Sequence, residues 1–194
     1  MIYLVRMRPK FRTAVVALVL VGALSASGCA SEAPAADPTP TPRATPLFAS
    51  DEEALAAAED AYAAYLAVTD EIYAEGGAGI EKLATVTAGK QLSEDTQGFA
   101  EVERLGLHSI GATTYDGVEL QQFDRESEEG KGVVTIYVCQ DVSLVDVFDA
   151  SGASVVRTDR PDRTRFEVKF DGDSESSGLS LRVSGVVPWE DPTC

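Results

Sequence analysis

The hydrophobic positions that follow Ser50 recur every three or four residues, which is the spacing of one face of a helix. Ser50 and the acidic residues directly after it fit a capping box, and Gly76-Gly77 provides a stop signal. The pattern therefore predicts one long amphipathic helix over residues 51–75. Shorter helical runs predict a second helix over 80–86 and a third near 88–105. The inward-facing residues expected in the third helix are Leu92, Phe99, Val102 and Leu105.

After residue 107 the hydrophobic spacing becomes alternating, which is typical of strands. Residues 133–139 are apolar on both faces and predict a central strand. Residues 166–170 and 179–183 alternate and predict strands with one apolar face. Tyr115-Asp116-Gly117-Val118 predicts a tight hairpin turn between two short strands.

A second turn, Asp149-Ala150-Ser151-Gly152, is expected between two short apolar runs at 144–148 and 153–156. Helices followed by a series of strands predict the α+β class. We expect N-terminal helices packed on a curved antiparallel sheet, whose apolar face they cover. Residues 47–194 have the right length for a single α+β domain of this kind.

Residues 1–28 are expected to be a leader and not part of the fold. Four basic residues precede an apolar run from Ala14 to Leu24, and small residues follow it. A charged start, an apolar core and a small-residue cleavage site describe a secretory signal. The apolar run is shorter than the about 20 residues that a membrane span needs.

The segment Ser27-Gly28-Cys29 resembles the lipobox of bacterial lipoproteins, although Ala26 stands where that family prefers a large aliphatic residue. The resemblance implies that Cys29 carries a diacylglycerol and becomes the first residue of the mature chain. It places the protein at the extracytoplasmic face of the cell membrane, held there by its lipid anchor. The alternative is a secreted protein with a chance cysteine at this position.

Residues 29–46 combine the lipidated Cys29 with a linker rich in proline and threonine. Such a segment forms neither a helix nor a central strand. At about 3.1 Å per residue, its last 16 residues would reach roughly 50 Å. We expect a spacer that holds the domain away from the membrane, and the alternative is a peptide motif that docks into a partner's groove.

Two cysteines remain if Cys29 carries lipid. An export signal places them in an oxidising compartment, so a Cys139–Cys194 disulfide is expected. Two free thiols are the alternative.

Charge changes the picture of possible partners. The 194 residues include 32 acidic and 16 basic side chains, a net charge of −16. Removal of residues 1–28 would leave 12 basic residues and a net charge of −20. Such acidity argues against nucleic-acid binding and against a domain lying flat on an anionic bilayer.

Few residues suggest a binding site. An aromatic stripe on the first helix would line a pocket, although such a stripe is more often core. Its members are Tyr62, Tyr65 and Tyr73. A basic cluster would bind an anion such as wall-polymer phosphate, unless the interleaved Asp159 and Asp162 neutralise it. Its members are Arg157, Arg160, Arg163 and Arg165.

The sequence offers no recognisable catalytic, metal or cofactor motif. It has no nucleophile elbow, no Cys-x-x-Cys and one histidine, His108, which is expected at a helix-to-strand junction. The acidic segment 171–175 hints at a calcium loop but lacks the required glycine, so a polar turn is expected.

The layout of three helices and a curved antiparallel sheet resembles the nuclear transport factor 2-like cone fold, which includes ketosteroid-isomerase-like and polyketide-cyclase-like members. The lipobox, the linker, the strand end at Tyr137-Val138-Cys139 and Trp189 shortly before Cys194 are similar to small Gram-positive lipoproteins of that fold. The resemblance implies a conical pocket between sheet and long helix. No motif matches the family's enzymatic members, so no catalytic residue is implied.

These observations predict a non-enzymatic module of the cell envelope that binds another protein or a small apolar ligand. The alternatives are a cone-fold enzyme or carrier for a hydrophobic small molecule and a purely structural wall spacer.

Replacing Cys29→Ala should abolish both lipid labelling and membrane retention, because two acyl chains anchor a protein stably and each buried methylene contributes about 0.8 kcal/mol. Detergent-phase partition of the wild type and the variant measures the effect. Unchanged partition of the variant would show that Cys29 is not the anchor.

Overall fold

The computed structural model describes residues 47–127, 131–173, 180–189 and 194. The predicted leader 1–28 and linker 29–46, with Cys29, lie outside the described residues. The helical segments are α1 (Asp51–Ala74), a 3₁₀ turn (Ile80–Lys82), α2 (Leu83–Val86) and α3 (Gly89–Leu105). The strands are β1 (His108–Ile110), β2 (Thr114–Phe123), β3 (Val134–Asp141), β4 (Asp146–Phe148), β5 (Arg163–Asp173) and β6 (Ser180–Pro188). Helices followed by antiparallel strands confirm the α+β class.

Helix α1 begins where its capping box was expected. The Oγ atom of Ser50 accepts a hydrogen bond from the backbone N–H of Glu53 at 3.2 Å, and the Glu53 carboxylate accepts one from the N–H of Ala49 at 2.8 Å. Acidic residues fill the first turn, where the helix dipole favours negative charge. One face of the helix is buried, through Ala54, Ala58, Tyr62, Leu66 and Ile72.

The main sheet is antiparallel and open, with strand order β2-β3-β5-β6. Strand β3 pairs with β2 on one side and β5 on the other, which confirms that it is a central strand. Apolar residues of β3, β5 and β6 share the inner face of the sheet, which α1 covers. The fully buried members of this face are Val134, Ile136, Val138, Val168, Phe170 and Val183.

The hairpin predicted at Tyr115–Val118 is wrong, because β2 runs through it without a break. Asp116 pairs with Cys139 and Glu119 with Tyr137, so β2 contains one extra residue and forms a bulge there. Gly117 adopts a positive φ of 61°, which a bulge accommodates as readily as a turn.

The third helix ends as predicted at residue 105, but Leu105 does not face inward. It is 47% exposed and lies in the last turn of a helix whose one buried residue, Gln91, is in the first turn. The turn at Asp149–Gly152 is confirmed, since Asp149 Oδ1 accepts from the N–H groups of Ser151 and Ala153. The strand before that turn, β4, pairs mainly with β1 in a separate two-stranded sheet.

The expected disulfide joins Cys139 of β3 to Cys194, with 5.5 Å between the two Cα atoms. Strand alternation puts Cys139 on the outer face of the sheet, opposite to α1. On the same face the ring of Trp189 packs against that of Tyr137, with 4.8 Å between centroids. The disulfide therefore ties the last residue of the chain to the central strand.

Loss of the Cys139–Cys194 bond should lower the free energy of unfolding by about 4 kcal/mol, because it closes a loop with a sequence separation of 55. Guanidinium unfolding of the full chain, oxidised and reduced, measures this difference. The variant Cys139→Ser/Cys194→Ser is the control and should not respond to reductant. Equal stability of the two redox states of the wild type would contradict the prediction.

Candidate functional site

A cavity of about 510 Å³ lies between the C-terminal half of α1 and the strands and loops facing it. This volume is in the range of about 300–1,000 Å³ that small-molecule sites usually have. Helix α1 contributes one wall through Tyr65, Leu66, Thr69, Asp70 and Tyr73. These residues follow the buried Tyr62 on the helix.

The opposite wall is apolar and built largely from valines. They come from the connection between β3 and β4, from β4 and β6, and from the segment after the Asp149 turn. The valines are Val142, Val145, Val147, Val155, Val156 and Val186. Short, branched side chains leave space that the aromatic residues of α1 do not fill.

Tyr62 closes the inner end of this region without lining the cavity. It is fully buried, and its hydroxyl donates a hydrogen bond to Gln140 Oε1 at 3.0 Å. Its ring lies 6.0 Å from that of Tyr65 and 5.1 Å from that of Tyr115, measured between centroids. Of the three tyrosines in the predicted stripe, Tyr65 and Tyr73 line the cavity and Tyr62 belongs to the core.

Burial raises the pKa of Tyr62 and of Tyr65 far above the usual value of a phenol. Both hydroxyls therefore stay protonated at any physiological pH. In this state they act as hydrogen-bond donors and not as bases.

A polar cluster lies behind Tyr65, between α1, α3 and β6. The N–H of Val186 donates to Gln91 Oε1 at 2.9 Å, and Gln91 Nε2 donates to Asp95 Oδ1 at 2.8 Å. The Oδ2 atom of Asp95 is buried without a hydrogen-bond partner. Burial raises the pKa of Asp95, and its proximity adds to the rise in the pKa of Tyr65.

Asp70 carries the carboxylate that faces the cavity from α1. Both of its oxygens accept hydrogen bonds from Thr113, one from the backbone N–H and one from Oγ1, each at 2.8 Å. This pair fixes the start of β2 against the helix. The carboxylate is therefore already engaged within the protein.

The four arginines of the predicted anion patch have two different surroundings. Arg157 and Arg160 line the cavity. Arg163 and Arg165 lie on the outer face of β5 and pair with carboxylates of β2 and β3. The single cluster inferred from the sequence is therefore divided, because the alternation of β5 commits its arginines to the outer face.

Arg160 is half-buried and held by the backbone. Its Nη2 atom donates to the carbonyl oxygens of Val142 at 2.9 Å and Val145 at 2.8 Å. Its Nε atom is buried without a hydrogen-bond partner. Sequence reasoning found this residue as part of a charged loop, but its contact with the cavity depends on long-range packing.

A second, shallower cleft of about 330 Å³ meets the first cavity at Val145, Val156, Arg157 and Arg160. Its remaining lining is mostly polar and includes Ser143, Asp146, Ser154 and Thr158. The two spaces together offer an apolar chamber that continues into a polar one.

The other candidate residues lie away from the cavity. His108 is exposed at the start of β1 and stacks on Phe148 at 5.8 Å between centroids. Asp171 accepts a hydrogen bond from the N–H of Gly132. Residues 171–173 of the acidic segment continue β5, where a polar turn was expected, and residues 174 and 175 lie outside the described residues.

Two further features are absent from the described part of the chain. No three of its His, Cys, Asp and Glu side chains are grouped so that they could hold a metal ion. None of its helices has the length and hydropathy of a membrane span.

No protein-family model matches this chain, and no curated protein does. Among solved structures, the chain is similar to the intermembrane space region of the chloroplast protein ARC6, with 16% identity and a TM-score of 0.49. The match covers 69% of this chain and 95% of the other. A likeness at this level carries no conclusion about function.

The raised pKa of Asp95 predicts a pH-dependent stability that Asp95→Asn removes. The folded state holds the proton more tightly than the unfolded state, so stability falls as pH rises from the ordinary carboxyl value through the folded one. Asp95→Asn should therefore be more stable than the wild type at pH 7, and the difference should shrink towards pH 4. Urea midpoints across this range measure it.

The matched control is Asp60→Asn, which removes one charge from an exposed position of α1. Its stability difference from the wild type should lack this trend. A wild type that gains stability relative to Asp95→Asn between pH 4 and pH 7 would contradict the assignment.

Proposed function

We propose that the protein is a lipid-anchored, extracytoplasmic binding module whose domain holds a small, mostly apolar molecule between α1 and the sheet. The cavity of about 510 Å³, with six valines on one wall and Tyr65 and Tyr73 on the other, carries this proposal. We also propose that the fold is a nuclear transport factor 2-like cone, in which a pocket of this kind lies beside the long helix. The anchor is proposed from the lipobox resemblance at Cys29.

The polar groups of the cavity support binding in preference to catalysis. Asp70 is engaged by Thr113, and the hydroxyl of Tyr65 keeps its proton at physiological pH. A general base needs a free acceptor within reach of substrate and a pKa near the working pH. An apolar chamber with a few fixed polar groups is typical of sites that bind small molecules.

Filling the cavity tests this function. Val156 lines it and is half-buried in a segment outside the main sheet, so Val156→Trp should occupy the space with little effect on the core. The variant should bind the neutral fluorescent probe N-phenyl-1-naphthylamine at least about tenfold more weakly than the parent, because the probe and the indole compete for one volume. Both proteins are the full chain with Cys29→Ala, which avoids acyl chains and detergent.

Val187→Trp is the matched control, because it places the same side chain at a position of β6 that is 54% exposed and outside the cavity. It should leave probe affinity within about twofold of the parent value. If the parent does not bind the probe, or if both tryptophan variants bind it as the parent does, the cavity is not a ligand site.

A further inference from the structure

We propose that the ligand of this cavity is amphipathic, with an apolar body in the chamber and one anionic head, of the carboxylate class, at Arg160. This inference rests on the proposed function and adds the chemical class of the ligand. Three features of the described residues carry it: the charge balance of Arg160, its fixed position, and its place between the two chambers.

Arg160 is a cation without a carboxylate partner among the described residues. Its hydrogen bonds to the described residues go to two backbone carbonyls, which carry no negative charge to compensate the guanidinium. The neighbouring Arg157 differs, because Asp159 accepts from both its Nε and Nη2 atoms. A half-buried guanidinium in this state stabilises an anion more strongly than a surface cation does.

The backbone contacts also hold Arg160 in place before any ligand arrives. Nη2 is tied to the carbonyls of Val142 and Val145, at the two ends of the connection between β3 and β4. The guanidinium therefore loses little conformational freedom when it binds a head group. Because Nη2 donates both of its hydrogens to these carbonyls, Nη1 is the group left to donate to one oxygen of a carboxylate.

The position of Arg160 matches the two ends of an amphipathic molecule. On one side lies the apolar cavity, and on the other the cleft with the hydroxyls of Ser143, Ser154 and Thr158. A ligand whose head reaches Arg160 would have its chain among the valines and its polar end near these hydroxyls. A wholly apolar ligand would leave the cation unpaired.

The acidic groups that face these two chambers already accept hydrogen bonds from other residues of the protein. Asp70 accepts two hydrogen bonds from Thr113. Asp146 accepts from its neighbour's N–H at 2.8 Å and from Ser154 Oγ at 2.6 Å. Neither carboxylate pairs with Arg160, so the positive charge at the junction remains available to a ligand.

The test compares two ligands that differ only in the head group, decanoate and 1-decanol, by displacement of the neutral probe from the full chain with Cys29→Ala. Decanoate should bind at least about tenfold more tightly, the size of one charge-assisted hydrogen bond. In a cavity without a usable cation, the order would reverse, because a carboxylate is costly to remove from water. Equal or tighter binding of decanol to the parent protein would overturn the inference.

Arg160→Gln should weaken decanoate about tenfold and leave decanol within about twofold. Arg160→Lys keeps the charge but cannot donate to both carbonyls and to a ligand from a planar group, so it should retain part of the preference. Arg104→Gln is the control for net charge, because Arg104 lies on α3 outside the cavity and pairs with Glu101. An unchanged preference in folded Arg160→Gln would also overturn the inference.

The outcomes separate this inference from the proposed function. If the probe and decanol bind and decanoate shows no advantage, the cavity is a ligand site and only the anionic head is refuted. If neither the probe nor either ligand binds, the proposed function itself fails. Should Arg160→Gln not fold, the comparison of the two ligands on the parent protein still decides.

Discussion

The packing of α1 across the inner face of β3 is the contact on which the rest of the structure depends. Ala54 and Ala58 are small and fully buried, so the N-terminal half of the helix can approach the sheet closely. Tyr62 follows with a much larger side chain, anchored by its hydrogen bond to Gln140 at 3.0 Å. This change in size accounts for the cavity beside the C-terminal half, because the helix there no longer fills the space up to the valines.

The cavity keeps its shape because polar contacts hold its rim where apolar packing is incomplete. Asp70 and Thr113 fix the helix to the start of β2, Gln91 joins α3 to β6, and Arg160 fastens the connection between β3 and β4. Each contact joins a side chain to backbone, so it restrains the chain itself. An apolar chamber without such restraints would shrink as its walls collapsed, since unfilled volume forfeits dispersion contacts.

The parts of the fold that sequence predicted well are those that local pattern determines. The spacing of apolar residues predicts α1 and α3, and a capping box also marks the start of α1. An apolar run predicts β3, whose two faces are both covered. The turn predicted at Gly117 was wrong because a glycine with positive φ occurs both in turns and in bulges. Only the pairing of β2 with β3 distinguishes the two. The cysteine pair followed from chemistry and counting, which do not require a fold.

The candidate site could be predicted only in fragments, because it depends on contacts between distant segments. The sequence identified Tyr65, Tyr73, Arg157 and Arg160 but could not bring the helix and the loop together. Adjacent arginines looked like one patch, although Arg163 and Arg165 belong to the outer face of a strand. No local signal in the sequence shows that Thr113 donates hydrogen bonds to Asp70, or that Arg160 donates only to backbone carbonyls. This difference between the two charged groups determines the chemistry of the cavity.

The overall negative charge of the chain disfavours the anionic ligand proposed here, so binding of that ligand would depend on the local positive charge of Arg160. With 32 acidic and 16 basic residues, the long-range field repels an anion. That field is screened over about 8 Å at physiological salt, whereas Arg160 would act at contact distance beside an apolar wall. The acidic exterior would also repel the same head group from other parts of the surface. Selectivity would then arise from the one uncompensated guanidinium of Arg160.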